Sequence, residues 1–227
     1  MSNENDVCAN CNVLQVDELN RLLFVAICQQ DFNGVQDCIE KGADVNCKLE
    51  WPMECYNKMG LQFMTPLLLA TNMYKEAAWG DSGKDINICY SIIKVLLENN
   101  ADPNDFCYIN SRPLDTVSFY ICFFKSDSNQ EIVNKFFKLL ALFLKHNAII
   151  YDSVFNNILN YILEHRETPE SIIKKIETVQ LVLVHGSHLP TPKQLKRLNT
   201  LYYQIFANWP VEMLLYCINY KSLLILL

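Results

Sequence analysis

Apolar residues recur along the chain at three- and four-residue spacing. Leu19, Leu22, Leu23, Ala26 and Ile27 predict one helical face, and after a break near Asp31 the residues Val35, Cys38 and Ile39 predict a second. Gly42 ends that helix, and Ala43-Asp44-Val45-Asn46 leads into a loop. The same order then returns. Thr65 is placed to cap a helix whose first position is Pro66, where a missing N–H is harmless. Ile92, Ile93, Leu96 and Leu97 form the answering outer face, closed by Asn100-Ala101-Asp102-Pro103-Asn104. A third round opens at Arg112-Pro113-Leu114-Asp115-Thr116-Val117. It closes through Leu139, Leu140, Phe143, Leu144, Asn147 and Ala148. The residues that end the outer helices are Gly42, Asn100, Asn147 and later Gly186, and glycine and asparagine best tolerate the left-handed conformation.

The recurrence resembles an ankyrin-repeat protein, whose helix-opening pattern is T-P-L-H-x-A and whose repeat closes on L-L-x-x-G-A-D-V-N. Residues 21–26 (RLLFVA) with 38–46 (CIEKGADVN) fit one repeat, and 65–70 (TPLLLA) with 96–104 (LLENNADPN) are the clearest copy. Residues 112–117 (RPLDTV) with 143–151 (FLKHNAIIY) are a weaker third. The histidine slot holds Phe24, Leu68 and Asp115, so the family's hydrogen-bond network between repeats is expected to be missing. The second and third units span 39 positions from opening to closing residue, against 25 in the first. The added residues read as longer helices joined by polar turns at 80–85 and 126–129, with Ser128 and Glu131 at capping-box spacing.

Past Tyr151 the family letters fade, but helical faces continue. Val154, Ile158, Tyr161 and Ile162 form one; Thr168-Pro169 and Thr191-Pro192 open two more helices. The resulting division is a flexible N-terminus at 1–17, three ankyrin-like repeats at 18–151, and degenerate C-terminal helical repeats or cap at 152–227. The expected class is all-α, an ankyrin-like helical solenoid of about five helix pairs with projecting hairpin or loop fingers.

Composition narrows the function. With 51% hydrophobic residues the 227-residue chain can bury a core. A net charge of −6 lacks the concentrated positive charge of a nucleic-acid footprint. Met1–Val7 is polar and acidic, without the features of a secretory signal, and no apolar run is long enough to span a bilayer. Among ten cysteines, Cys28, Cys38, Cys89, Cys122 and Cys217 fall in helical apolar patterns and read as small buried hydrophobes. A reducing, cytoplasmic compartment follows as the expectation.

Candidate chemistry is thin. Cys8-x-x-Cys11 has ligand spacing, but a structural zinc needs about four ligands and His185-x-x-His188 lies far along the array. No metal or cofactor is expected. Gly80-Asp81-Ser82-Gly83 resembles the serine environment of chymotrypsin-like proteases without its second glycine, and Gly80-x-x-Gly83-Lys84 is not spaced as a phosphate loop. Leu189-Pro190-Thr191-Pro192 resembles the end of a SOCS box whose first half is absent, and a proline-capped helix accounts for the same letters. No histidine is paired with a nucleophile at recognisable spacing, so catalysis is not expected.

The positive signal is the 18-position loop from Cys47 to Met64, about twice what the family spends there. It carries Trp51, Met53, Tyr56, Met59 and Phe63, residue types enriched where proteins bind proteins. Local packing under the loop accounts for the same residues equally well. A second finger holds Phe106, Tyr108 and Ile109, and the first insertion adds Tyr74 and Trp79. Asp102 and Asp105 read as turn-formers. The expected function is non-catalytic recognition of a folded protein through Trp51, Met53, Tyr56, Met59, Phe63, Trp79, Phe106 and Tyr108. Richness in Asn, Ile, Lys and Tyr resembles ankyrin effectors of intracellular bacteria and large viruses, which act on host proteins. The alternatives are an inhibitor or adaptor of an enzyme complex, such as a ubiquitin-ligase substrate adaptor, and a self-assembling unit using the apolar tail Leu223–Leu227.

Overall fold

The structure is a computed structural model that describes residues 4–52, 61–80, 83–105, 112–121, 130–151, 153–154, 156–158 and 196. These are mostly helical, in agreement with the all-α expectation. Among the described residues six helices follow in order: α1 (Glu4–Gln29), α2 (Phe32–Glu40), α3 (Pro66–Trp79), α4 (Ile86–Glu98), α5 (Pro113–Ile121) and α6 (Gln130–Lys145). One antiparallel hairpin, β1 (Leu49–Pro52) with β2 (Leu61–Met64), precedes α3. Each odd-numbered helix packs on the even-numbered helix that follows it. Odd helices also pack on odd (α1 on α3, α3 on α5) and even on even (α2 on α4, α4 on α6). Three helix pairs therefore lie side by side in two layers, with one continuous apolar core between them.

The local reasons for these elements are short-range. Asp31 caps α2 by accepting from the Gly34 N–H at 3.0 Å, Thr65 caps α3 from Leu68 at 3.2 Å, and Asp85 caps α4 from Asn87 at 2.7 Å. Pro66 occupies the start of α3 as expected. The outer helices end alike. Gly42, Asn100 and Asn147 take φ of 98°, 67° and 62°. The next residue's N–H then reaches back to a helical carbonyl: Ala43 to Cys38 at 2.9 Å, Ala101 to Leu96 at 3.0 Å, Ala148 to Phe143 at 3.0 Å. All three alanines are buried, because the returning chain crosses the core there.

The pairs are tied to one another by side-chain amides. Asn46 donates from Nδ2 to the Asn100 carbonyl at 3.0 Å and accepts at Oδ1 from the Asp102 N–H at 2.7 Å. Asn104 repeats this one pair further on, donating to the Asn147 carbonyl at 3.0 Å and accepting from the Ile149 N–H at 2.7 Å. Each carboxamide thus joins the carbonyl of the neighbour's left-handed residue to the N–H two residues on, spanning the buried alanine between them. Asn20, buried in α1, begins the series by accepting from the Asp44 N–H at 2.8 Å. Asp44 and Asp102 hold the asparagines in place, since each accepts from the N–H two residues on, at 2.8 Å. At the inter-helix turns, Gln30 accepts from the Asp85 N–H at 3.1 Å and donates to Cys89 Sγ at 2.9 Å.

Three expectations are corrected. Leu22 is 46% exposed, because the core face of α1 is centred on Asn20, Leu23 and Ile27 and Leu22 falls off its edge. The first regular helix begins at Glu4 rather than near Leu19. Hydrogen bonding between units is present, carried by the asparagines. In the third unit the histidine slot joins in: Asp115 accepts from Ser153 Oγ at 2.6 Å, whereas Phe24 and Leu68 in the first two are buried and apolar. Beyond Tyr151, Val154 and Ile158 are buried as the pattern predicts. The helix pairs expected over 152–190 and 191–227 otherwise lie outside the described residues, as do Ser126–Asn129, Gly186 and Leu223–Leu227.

Candidate interaction surface

The finger is built on a hairpin whose base is anchored. Leu49 pairs with Met64, Glu50 with Phe63, Trp51 with Gln62 and Pro52 with Leu61. Met64 is buried and Leu49 packs against the core, so the base belongs to the scaffold. β2 runs directly through Thr65 into α3, leaving little freedom for the hairpin to swing. Lys48, at the foot of β1, pairs with Asp105 at 2.8 Å and fixes the finger to the closing turn of the second unit. Asp105 is therefore spent within the chain on an ion pair, while Asp102 is the turn-former the sequence implies.

Two of the expected contact residues have described side chains, and both are half exposed: Phe63 at 47% and Trp79 at 50%. They are not one patch. Phe63 precedes α3 and Trp79 is its last residue, so the 14-residue helix holds them roughly 20 Å apart. Trp51 lies in β1 at a register position of opposite parity to Phe63. Tyr74 is buried in α3 and is part of the core, removing it from the finger-side set. Met53, Tyr56, Met59, Phe106, Tyr108 and Ile109 lie outside the described residues. Sequence reasoning missed Val25, 48% exposed on α1 one turn from Leu22, because the unbroken apolar run from Leu22 to Cys28 hides which of its members face outward.

The surroundings offer little reactive chemistry. Burial raises the Cys28, Cys38, Cys47 and Cys89 thiols, Cys47 to about 12 and Cys89 to about 11. Thiols held this high stay protonated at neutral pH and are poor nucleophiles. Among the described residues no three His, Cys, Asp or Glu side chains come together as a metal site. Cys28, Cys38, Cys47 and Cys89 are free thiols, with Cys38 and Cys89 buried and Cys28 and Cys47 half-buried; Cys122 and Cys217 lie outside the described residues. No helix among the described residues is long and apolar enough to cross a membrane.

The raised thiols carry a pH prediction. Above about pH 9 the unfolded chain gives up protons that Cys89 and Cys47 keep while folded, so stability present below pH 9 is lost as pH rises toward 11. Taken at full strength the two thiols would cost about 5 kcal/mol by pH 11, and because both are partly open to solvent, screening reduces the expected loss to on the order of 1–2 kcal/mol. Urea unfolding measured in steps from neutral to pH 11 checks this, and a flat profile above pH 9 would contradict the buried-thiol description.

Against known proteins, no family model matches the chain, and no curated protein matches it.

Proposed function

We propose that the chain is an ankyrin-like array of stacked helix pairs acting as a non-catalytic recognition module for a folded protein. The observation that carries this reading is the repetition of one bonded arrangement. A left-handed residue, a buried alanine and a carboxamide grip recur in the same order at successive units. Such an array is stabilised by neighbour-to-neighbour burial and offers a rigid, extended face. The finger between Cys47 and Met64 is about twice the length the family spends there, and its Trp51, Met53, Tyr56 and Met59 supply anchor-type side chains. Rigid anchoring of the hairpin base lowers the ordering penalty on association. The composition fits a host-directed effector working in a cytoplasm.

The test is affinity capture from cell lysate with wild type and a Trp51→Ala/Tyr56→Ala double variant. The expected result is a folded variant by circular dichroism that loses the main captured protein. Capture that survives the double substitution would remove the finger from the account.

A further inference from the structure

The chain contains a single Asn-Gly pair, Asn33-Gly34, in the first turn of α2. Glycine after asparagine is the sequence most prone to cyclisation, because no side chain shields its nitrogen. The Gly34 nitrogen, once deprotonated, attacks Cγ of Asn33. A C–N bond forms, the Cγ–Nδ2 bond breaks and ammonia leaves. Water then opens the succinimide to aspartate or isoaspartate. The balance is one amide and one water consumed, one carboxylic acid and one ammonia produced.

In the folded chain that attack is held off. The Gly34 N–H is donated to Asp31 Oδ1 at 3.0 Å, so its proton and direction are both committed to the helix cap. Asn33 is exposed, so water reaches it, but the helical backbone turns the Gly34 nitrogen away from its own side chain. A Cβ built at position 34 would lie 2.4 Å from Asp31 Oδ2 and 3.3 Å from the Ala26 Cβ. A side chain there would have to turn the capping carboxylate aside, whereas glycine leaves it in place.

We propose that Asn33 is a site of spontaneous deamidation gated by opening of the first turn of α2, with the Asp31 carboxylate as its latch. The consequence follows from position. Isoaspartate inserts a methylene into the main chain one residue before Gly34, and the turn that seats Val35 and Cys38 in the core can no longer close. The damage falls on the first helix pair, where α2 packs on α1 and α4.

The test is incubation of the full chain in mildly alkaline buffer, with peptide mass spectrometry at Asn33. Loss of a cap makes the open turn roughly fivefold more populated, the factor equivalent to about 1 kcal/mol. Asp31→Ala should accelerate conversion by that factor. Asp31→Asn, which keeps a capping oxygen, should stay near wild type. Thr65→Ala, a cap loss of similar size in α3, should leave the Asn33 rate unchanged. An Asp31→Ala rate equal to wild type overturns the proposal. So does an Asp31→Asn rate matching Asp31→Ala, or equal acceleration by Thr65→Ala, which would make global unfolding the route.

Discussion

Replacing Phe143 by alanine is expected to lower the unfolding free energy by about 3–5 kcal/mol, the largest effect of any single substitution considered. Phe143 is fully buried on α6, which packs on both α5 and α4. Its position is also the one whose carbonyl receives the returning alanine N–H in each unit. Cys38, Leu96 and Phe143 are thus three side chains at one repeated backbone site. That equivalence turns one prediction into a graded series. Leu96→Ala should lose about 2–5 kcal/mol. Cys38→Ala, which removes a single heavy atom, should lose about 1 kcal/mol. Against a total stability of about 5–15 kcal/mol, the Phe143 variant would be close to unfolding at ordinary temperature. Urea midpoints at unchanged slope measure the series. Equal losses at the three positions would contradict their shared place in the array.

Asn104→Ala is expected to cost about 2–3 kcal/mol, more than a surface asparagine should. Two hydrogen bonds are lost, each worth about 1 kcal/mol net, and the Ile149 N–H is left without its acceptor in a partly buried place. Asn46→Ala removes the same pair of bonds one unit earlier, but both are exposed and water can replace them. Its expected cost is about 1 kcal/mol. Asn104→Asp keeps an acceptor for Ile149 and loses the donor to the Asn147 carbonyl, so it should fall between wild type and alanine. Amide exchange gives a second readout: Ile149 should lose protection in Asn104→Ala and keep it in Asn46→Ala. The series stops at Tyr151, which stands where Asn46 and Asn104 stand in the earlier units. A carboxamide grip cannot continue there, and the Arg112 guanidinium instead sits 3.4 Å from the Tyr151 ring centre.

What the sequence made legible was mainly what is decided within one turn of chain. Thr65 and Pro66 start a helix, and Gly42, Asn100 and Asn147 end helices, because capping and left-handed backbone depend on immediate neighbours. The buried faces of α4 and α6 were legible too, since their apolar positions recur without interruption. The tying asparagines were visible as aligned letters, but their role was not. Their partners lie 43 to 56 residues away, and only stacking brings them within reach. Leu22 was misplaced for a related reason. Apolar spacing marks a stripe, and only the packed neighbour settles how wide the buried part of the stripe is. The finger was recognised by length, while its paired base came from the register.

Under the proposed function a rigid stack of helix pairs presents the finger to a folded partner, and scaffold and finger can be separated. Pro52 and Leu61 face each other at the end of the paired strands, so residues 53–60 can be replaced by a two-residue Asp-Gly turn that suits a hairpin. The measurement is capture of the partner by this shortened chain, alongside amide protection at Asp102 and Ile149. The expected result is unchanged protection with loss of capture. Capture at the wild-type level with protection intact would contradict it.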